Sequence, residues 1–310
     1  MHDDLIKKFI GDYVMDELVS VVITTHNRVS LLKQAVESVI DQTYKKLEII
    51  IVDDNSSDNT KDYLKSIVQK DNRIKIIYIG QNETKGGNYA RNKGLKASNG
   101  TYIALLDDDD YWMHDKIEKQ LKLIIDKQCG LIYCNYYTED DNNQRKMCVA
   151  DAKYKGDVEQ LCFTKIFCTT SMMLIKRDIL FDVGLFDENL KFWQEYDILI
   201  RISGVTSVDY VDEPLMVLRV LNNDKNRLTN KYEGWQIAVD YIEDKYRDRI
   251  EKLPSDLKIE HELMVLREKA IRCDKAELKL ETKKTLKEIW KITKQPKHFI
   301  KYIFNYPYFR

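Results

Sequence analysis

The sequence has few residues that interrupt regular structure. Its 310 residues include four prolines and eleven glycines, which leaves little room for long disordered linkers. The six cysteines, at 129, 134, 148, 162, 168 and 273, form no C-x-x-C pair and do not cluster with the five histidines. That spacing excludes a standard zinc motif and predicts the free thiols of an intracellular protein. The first apolar run is not followed by G-x-G-x-x-G, which argues against a dinucleotide-dependent dehydrogenase. No apolar run reaches the roughly 18 residues of a membrane span. The opening MHDDLIKKFIGDYVMDELVS lacks the basic start and apolar core of a secretion signal. Charge of one sign is also missing: 50 Lys and Arg face 51 Asp and Glu. No global field therefore draws nucleic acid, and a cytoplasmic protein without a nucleic-acid partner is expected.

Apolar material is plentiful, at 44% of the chain, enough for one large domain or a domain with an appendage. VSVVIT (19–24), LEIIIV (47–52), IKIIYI (74–79), TYIALL (101–106) and LIYCNYY (131–137) read as strands. Between them, apolar residues recur at helical spacing, as at Leu31, Leu32, Ala35, Val36, Val39 and Ile40. Strand and helix in alternation predict an α/β fold with a mostly parallel sheet and flanking helices. Residues 139–143 read as a polar turn, 183–188 as a turn and 194–202 as a helix. From about 221 to the end the pattern is helical and Lys/Glu-rich, with breaks near Pro254 and Pro296.

One stretch stands out. ALLDDDDYW (104–112) carries an apolar strand into four consecutive aspartates. Adjacent carboxylates repel, and burying them is costly. Either the run is a solvated turn or a cation lies against it. THNR (25–28), DDNSSD (53–58) and DDDD (107–110) all follow predicted strands. In open α/β sheets, ligands bind at the carboxyl ends of the strands. Asp107 and Asp109 point the same way in an extended chain. They suit one hard divalent ion, Mn²⁺ or Mg²⁺, whose other positions a diphosphate fills.

VSVVITTHNR, IIIVDDNSSDNT and GGNYARNKGLKASNGTYIALLDDDD, in that order, resemble the nucleotide-diphospho-sugar transferases of glycosyltransferase family 2. The resemblance is close over 19–112 and looser through GLFDENLKFWQEYDILIRI to about Val220. It implies the GT-A fold and inversion at the anomeric carbon. It also implies a nucleotide-sugar donor, expected to be a UDP-sugar, and a saccharide or lipid-linked oligosaccharide acceptor of a bacterial surface polysaccharide. By the same resemblance Thr24, Thr25, Asn27 and Arg28 cup the nucleotide, Asp54 hydrogen-bonds uracil and Arg91 stands beside the pocket. Asp107 contacts the ribose and joins Asp109 on the metal; Asp108, in the variable place between them, is also expected at the nucleotide, and Asp110 orients the others. The base of the family is an aspartate at the start of a later helix. Here Glu195 occupies that place in Gln194-Glu195-Tyr196-Asp197, one methylene longer, and Asp197 is its rival. A metal that neutralises the leaving diphosphate removes the need for a general acid, so one base suffices. Many relatives add a metal-binding His after the last strands. The segment 214–230 has none; Asn222, Asp224 and Arg227 are the polar substitutes there.

The expected organisation is an N-terminal helical extension (1–18) with Leu5, Ile6, Phe9 and Ile10 packed inward. A catalytic domain (19–220) follows, with a nucleotide-binding half (19–112) and an acceptor half (113–220). A basic helical region (221–310) completes the chain. From 281 to 310 there are eight Lys and Arg against two Glu. Leu286, Ile289, Trp290, Phe299, Ile300, Ile303 and Phe304 recur there at helical spacing, which fits peripheral contact with an anionic membrane through 283–310. A helix packed on the catalytic domain, or a homodimer contact, is the other reading. A nucleotidyltransferase of similar fold and a non-catalytic nucleotide-sugar-binding module both remain open alternatives.

Overall fold

The computed structural model describes residues 16–220 and 232–295. Four parallel strands form its first half: β1 (Val19–Thr25), β2 (Leu47–Asp53), β3 (Ile74–Tyr78) and β4 (Tyr102–Asp107), in the order β3-β2-β1-β4. All seven residues of β2 are buried, as are six of the seven in β1, so both faces of these strands are covered. Three helices connect them: α1 (Val29–Ile40), α2 (Thr60–Val68) and α3 (Gly87–Lys96). Leu32, Ala35, Val36 and Val39 form the buried stripe of α1. A Cβ at Gly94 would lie 2.4 Å from Val22 Cγ1, so only glycine allows α3 to approach β1 this closely. The register sets Thr25 beside Asp53 and Thr24 beside Asp107. Three loops thereby meet at one edge of the sheet.

Beyond β4 the sheet is mixed. It adds β5 (Tyr111–Trp112), β6 (Leu131–Asp140), β7 (Arg145–Cys148), β8 (Leu174–Lys176) and β9 (Val208–Val220). β8 is antiparallel to both β4 and β6, while β9 is parallel to β6. α4 (Lys116–Lys127), α5 (Arg177–Asp182) and α6 (Gln194–Ser203) complete the element order up to β9. The expected polar turn at 139–143 is placed too early. Glu139 and Asp140 still belong to β6, Asn143 turns the chain at φ 58°, and β7 pairs back. Glu139 is buried because Tyr111 and Arg145 hydrogen-bond its carboxylate.

Contacts divide the described chain into two compact units. The first holds the sheet, with 167–189 and 198–220. The second holds 159–166, 190–197 and the helices α7 (Tyr232–Lys245), α8 (Arg247–Glu251), α9 (Ser255–Lys275) and α10 (Lys279–Thr293). Within it, Trp193 meets Trp235 at 5.6 Å between ring centroids, and Tyr196 Oη donates to Phe163 O at 2.8 Å. Leu286 and Ile289, assigned from sequence to a membrane-facing stripe, are instead buried with Leu263 and Ala270 of α9. Burial against a neighbouring helix meets their hydrophobic demand without lipid. The rest of that stripe from Phe299 onward, and the expected N-terminal helix, lie outside the described residues. Among the described residues no helix is long and apolar enough to cross a membrane. All six cysteines are free thiols.

Glu48 of β2 ties the parallel sheet to the loop before β4. Its carboxylate accepts from Ser20 Oγ at 2.6 Å, from the Asn99 N–H at 2.8 Å and from Lys75. Burial raises its pKa, but the bonds from Lys75, Ser20 and Asn99 outweigh burial and bring it from 4.5 down to about 2. A depressed carboxyl stabilises the fold above its ordinary pKa, and that contribution is lost as pH falls through the folded value. Glu48→Gln should therefore cost about 1–3 kcal/mol at neutral pH. Urea titrations should show the gap from wild type closing as pH falls below 4.5 toward about 2.

Candidate active site

The loop after β1 and the loop after β2 are stapled together. Asn27 adopts a left-handed backbone, φ 53°, which asparagine tolerates. Its Oδ1 accepts from the Ser57 N–H at 2.7 Å, and its own N–H donates to Ser56 Oγ at 2.9 Å. Asp58 accepts from the N–H groups of Val29 at 3.1 Å and Thr60 at 3.0 Å, where α1 and α2 begin. His26 Nδ1 donates to Asp54 O at 2.6 Å. Asn27 thus builds the loop platform, while Thr24 is half-buried at the end of β1. The contribution of His26 was not read from the sequence, where only its place inside THNR marks it.

Asp54 is buried, and its Oδ1 has no hydrogen-bond partner within the protein. Burial raises its pKa. An unpartnered buried acceptor carries a desolvation penalty, which a ligand N–H arriving there would relieve.

Asp107 ends β4, and the three aspartates after it leave the strand. The Asp110 N–H donates to Asp107 O at 3.1 Å and closes a turn. Asp107 and Asp109 nevertheless keep 30% and 26% of their side-chain surface exposed, against 6% for Asp108. The repulsion within the run is offset in two ways. Arginines supply charge: Arg91 Nη2 is 2.7 Å from Asp107 Oδ1, and Arg28 Nη1 is 3.2 Å from Asp109 Oδ2 and 3.4 Å from Asp108 Oδ1. Burial disfavours charge on the other two. Burial, and then the charge of Asp109, push Asp108 up to about 7. Burial, then the charges of Asp109 and Asp107, raise Asp110 strongly. Arg91 is itself oriented by Asn88, 2.9 Å away, and stacks over Phe186.

Thr25 and Asp108, both expected at the nucleotide, contact each other. Asp108 is turned inward, where Thr25 Oγ1 donates to its Oδ2 at 2.7 Å. This bond ties the loop after β4 to the end of β1. The exposed pair, Asp107 and Asp109, suits a hard divalent ion that takes its remaining ligands from phosphate and water. Among the described residues no three His, Cys, Asp or Glu side chains converge as metal ligands, so a closed, all-protein metal cage does not fit. Asn222, Asp224 and Arg227 lie outside the described residues.

In the second unit, the start of α6 separates its two acids by environment. Asp197 is fully buried; it accepts from Tyr246 Oη at 2.7 Å and pairs with Lys245 Nζ at 2.7 Å. Glu195 is half-buried and accepts from Gln194 Nε2 at 3.1 Å.

Comparison with known proteins identifies the family. The family model described as Glycosyl transferase family 2 matches residues 20–184. The chain belongs to glycosyl transferase family 2. This family 2 chain is 30% identical over 233 residues to an uncharacterized glycosyltransferase of Rickettsia prowazekii, covering 72% of the chain and 71% of the relative. It is 46% identical over 125 residues to WfaP of Escherichia coli, covering 40% and 48% of the two chains. WfaP is named as a UDP-Glc:alpha-D-GlcNAc-diphosphoundecaprenol beta-1,3-glucosyltransferase. The family 2 chain spans about a third of the length of some curated relatives, 37% for one from Rickettsia felis. Staphylococcus aureus TarS residues 1–349, in complex with UDP, superimpose with a TM-score of 0.57 at 16% identity, covering 94% of this chain and 93% of that one. A mannosyltransferase from Pyrobaculum calidifontis, in complex with GDP-Man and Mn²⁺, gives 0.56 at 18% identity, covering 88% and 73%. These likenesses show the fold, and it is the GT-A fold expected from the sequence.

Proposed function

We propose that the chain is an inverting glycosyltransferase that moves a sugar from a UDP-sugar to a lipid-linked saccharide in bacterial surface polysaccharide assembly. One observation carries the donor reading: the unpartnered buried Oδ1 of Asp54 shares a sheet edge with the exposed pair Asp107 and Asp109. The first fits a uracil N–H, and the second fits the diphosphate end of the same molecule. The WfaP name, with its UDP-Glc donor and diphosphoundecaprenol-linked acceptor, supports the choice of substrates. A solved complex of TarS with UDP-GlcNAc supports the donor class.

Each residue has a role in this reading. Asp54 accepts from the base, and Thr24 borders the nucleotide. Arg91 and Arg28 pair with Asp107 and Asp109 and hold them in place. Mn²⁺ or Mg²⁺, when bound, neutralises charge on the leaving diphosphate. Glu195 takes the proton of the acceptor hydroxyl as that oxygen attacks the anomeric carbon from the face opposite the leaving group. Asp197, held by Lys245 and Tyr246, supports the helix start. For 283–310 we retain an anionic membrane as the partner. The exposed lysines Lys283, Lys284, Lys287 and Lys291 would make that contact, since Leu286 and Ile289 are committed to α9.

A thermal-shift panel of nucleotide sugars with Mn²⁺ tests the donor reading. UDP-sugars should stabilise the protein by about 2.7 kcal/mol at a hundredfold excess over Kd, with GDP- and ADP-sugars well behind. Asp54→Ala should erase that preference. Equal stabilisation by every base would overturn the assignment of Asp54. Release of pyrophosphate in place of UDP during turnover would overturn the transferase reading.

A further inference from the structure

We propose that Arg219, at the end of β9, is a positioning residue that fixes the Asp109 turn for cation binding. This rests on the reading that Asp107 and Asp109 hold the cation. Arg219 is 7% exposed and touches the turn twice. Its backbone N–H donates to Asp110 Oδ1 at 3.3 Å, and its Nη1 donates to Asp109 O at 3.4 Å. The second contact anchors the peptide of Asp109 itself.

The guanidinium is held in turn from several sides. Nη2 donates to Gln34 Oε1 on α1. The Tyr111 ring lies 4.8 Å from the guanidinium carbon, and Glu139 Oε1 is 3.9 Å from Nε. Glu139 accepts from Tyr111 Oη at 2.7 Å and from Arg145 Nε at 2.8 Å; Arg145 Nη2 donates to Tyr111 Oη at 2.7 Å. Tyr111 directly follows Asp110 in the chain. The β6–β7 hairpin, α1 and β9 therefore converge on one turn. These residues line a cavity of about 770 Å³, so solvent reaches the far side of the network. Without Arg219 the Asp109 carbonyl would turn to that water, and its carboxylate would lose its fixed direction. Outer groups that orient a metal ligand typically govern about 10–100-fold in metal affinity.

The test is Mn²⁺ affinity by electron paramagnetic resonance with UDP present, alongside metal-free UDP affinity and Tm. Arg219→Gln should weaken Mn²⁺ by about 10–100-fold and leave metal-free UDP binding within about twofold. Arg219→Lys should recover part of the loss, because an ammonium reaches one carbonyl but cannot fork to Gln34 and Glu139. If Arg219→Gln does not fold, Glu139→Gln provides the test, since it keeps the shape and removes the charge that aligns the guanidinium; it should weaken Mn²⁺ several-fold. Wild-type Mn²⁺ affinity in the folded variants overturns the proposal. An Asp109→Ala control separates the two readings. If that control loses Mn²⁺ while Arg219→Gln keeps it, the positioning role falls and the cation site stands. If Asp109→Ala keeps Mn²⁺, both fall.

Discussion

Asp109→Ala is expected to cut sugar transfer by at least about a hundred- to a thousandfold, the size of losing one electrostatic stabiliser of a developing charge. It should also abolish the response to added Mn²⁺. The loss should be functional and not structural. Asp109 is partly exposed, and its charge is the second cause, after burial, of the raised pKa of Asp108. Removing it relieves repulsion on Asp108 and on Asp110, while Arg28 keeps its contact with Asp108. The variant should therefore melt no lower than wild type. Radiolabelled transfer with and without EDTA, paired with thermal melts, reads both outcomes. Undiminished turnover of the wild type in EDTA would remove the metal from the mechanism.

Glu195→Gln is expected to lower kcat by about a hundred- to ten-thousandfold, the usual contribution of a positioned general base. The KM for donor and the stability should change little. Asp197→Asn should do the opposite. It removes a buried carboxylate from both Lys245 and Tyr246. Lys245 is 28% exposed, so the cost should be about 1–3 kcal/mol, short of that for a fully buried pair. Steady-state kinetics and urea denaturation on the two variants separate the roles. A stable, inactive Asp197→Asn beside an active Glu195→Gln would exchange them.

The parts of the fold that were legible in the sequence are those where local pattern and burial agree. LEIIIV is apolar except for Glu48 because β2 is covered on both faces, and α1 shows its stripe because one side packs. The mixed half was harder to read. Glu139 looked like a turn residue because a carboxylate in a strand is unusual, and its buried partner Tyr111 is distant in sequence. Leu286 and Ile289 were assigned to lipid for a related reason: periodicity shows that they face something apolar, but not what, and they pack on α9. At the site, the sequence marked Asp107 and Asp109 as a pair, yet by the wrong geometry. Asp107 ends β4 and Asp109 lies in the turn that follows, so one extended strand does not present both. Arg219 went unread because its partners, Asp109 and Asp110, lie more than a hundred residues away.

The most direct measurement is anomalous diffraction at the manganese edge from a crystal soaked with Mn²⁺ and UDP. A manganese peak against the Asp109 carboxylate, bridged to the diphosphate, with the uracil ring on Asp54, is the predicted result. Manganese and nucleotide both bound elsewhere, with Asp107 and Asp109 facing only water, would contradict it.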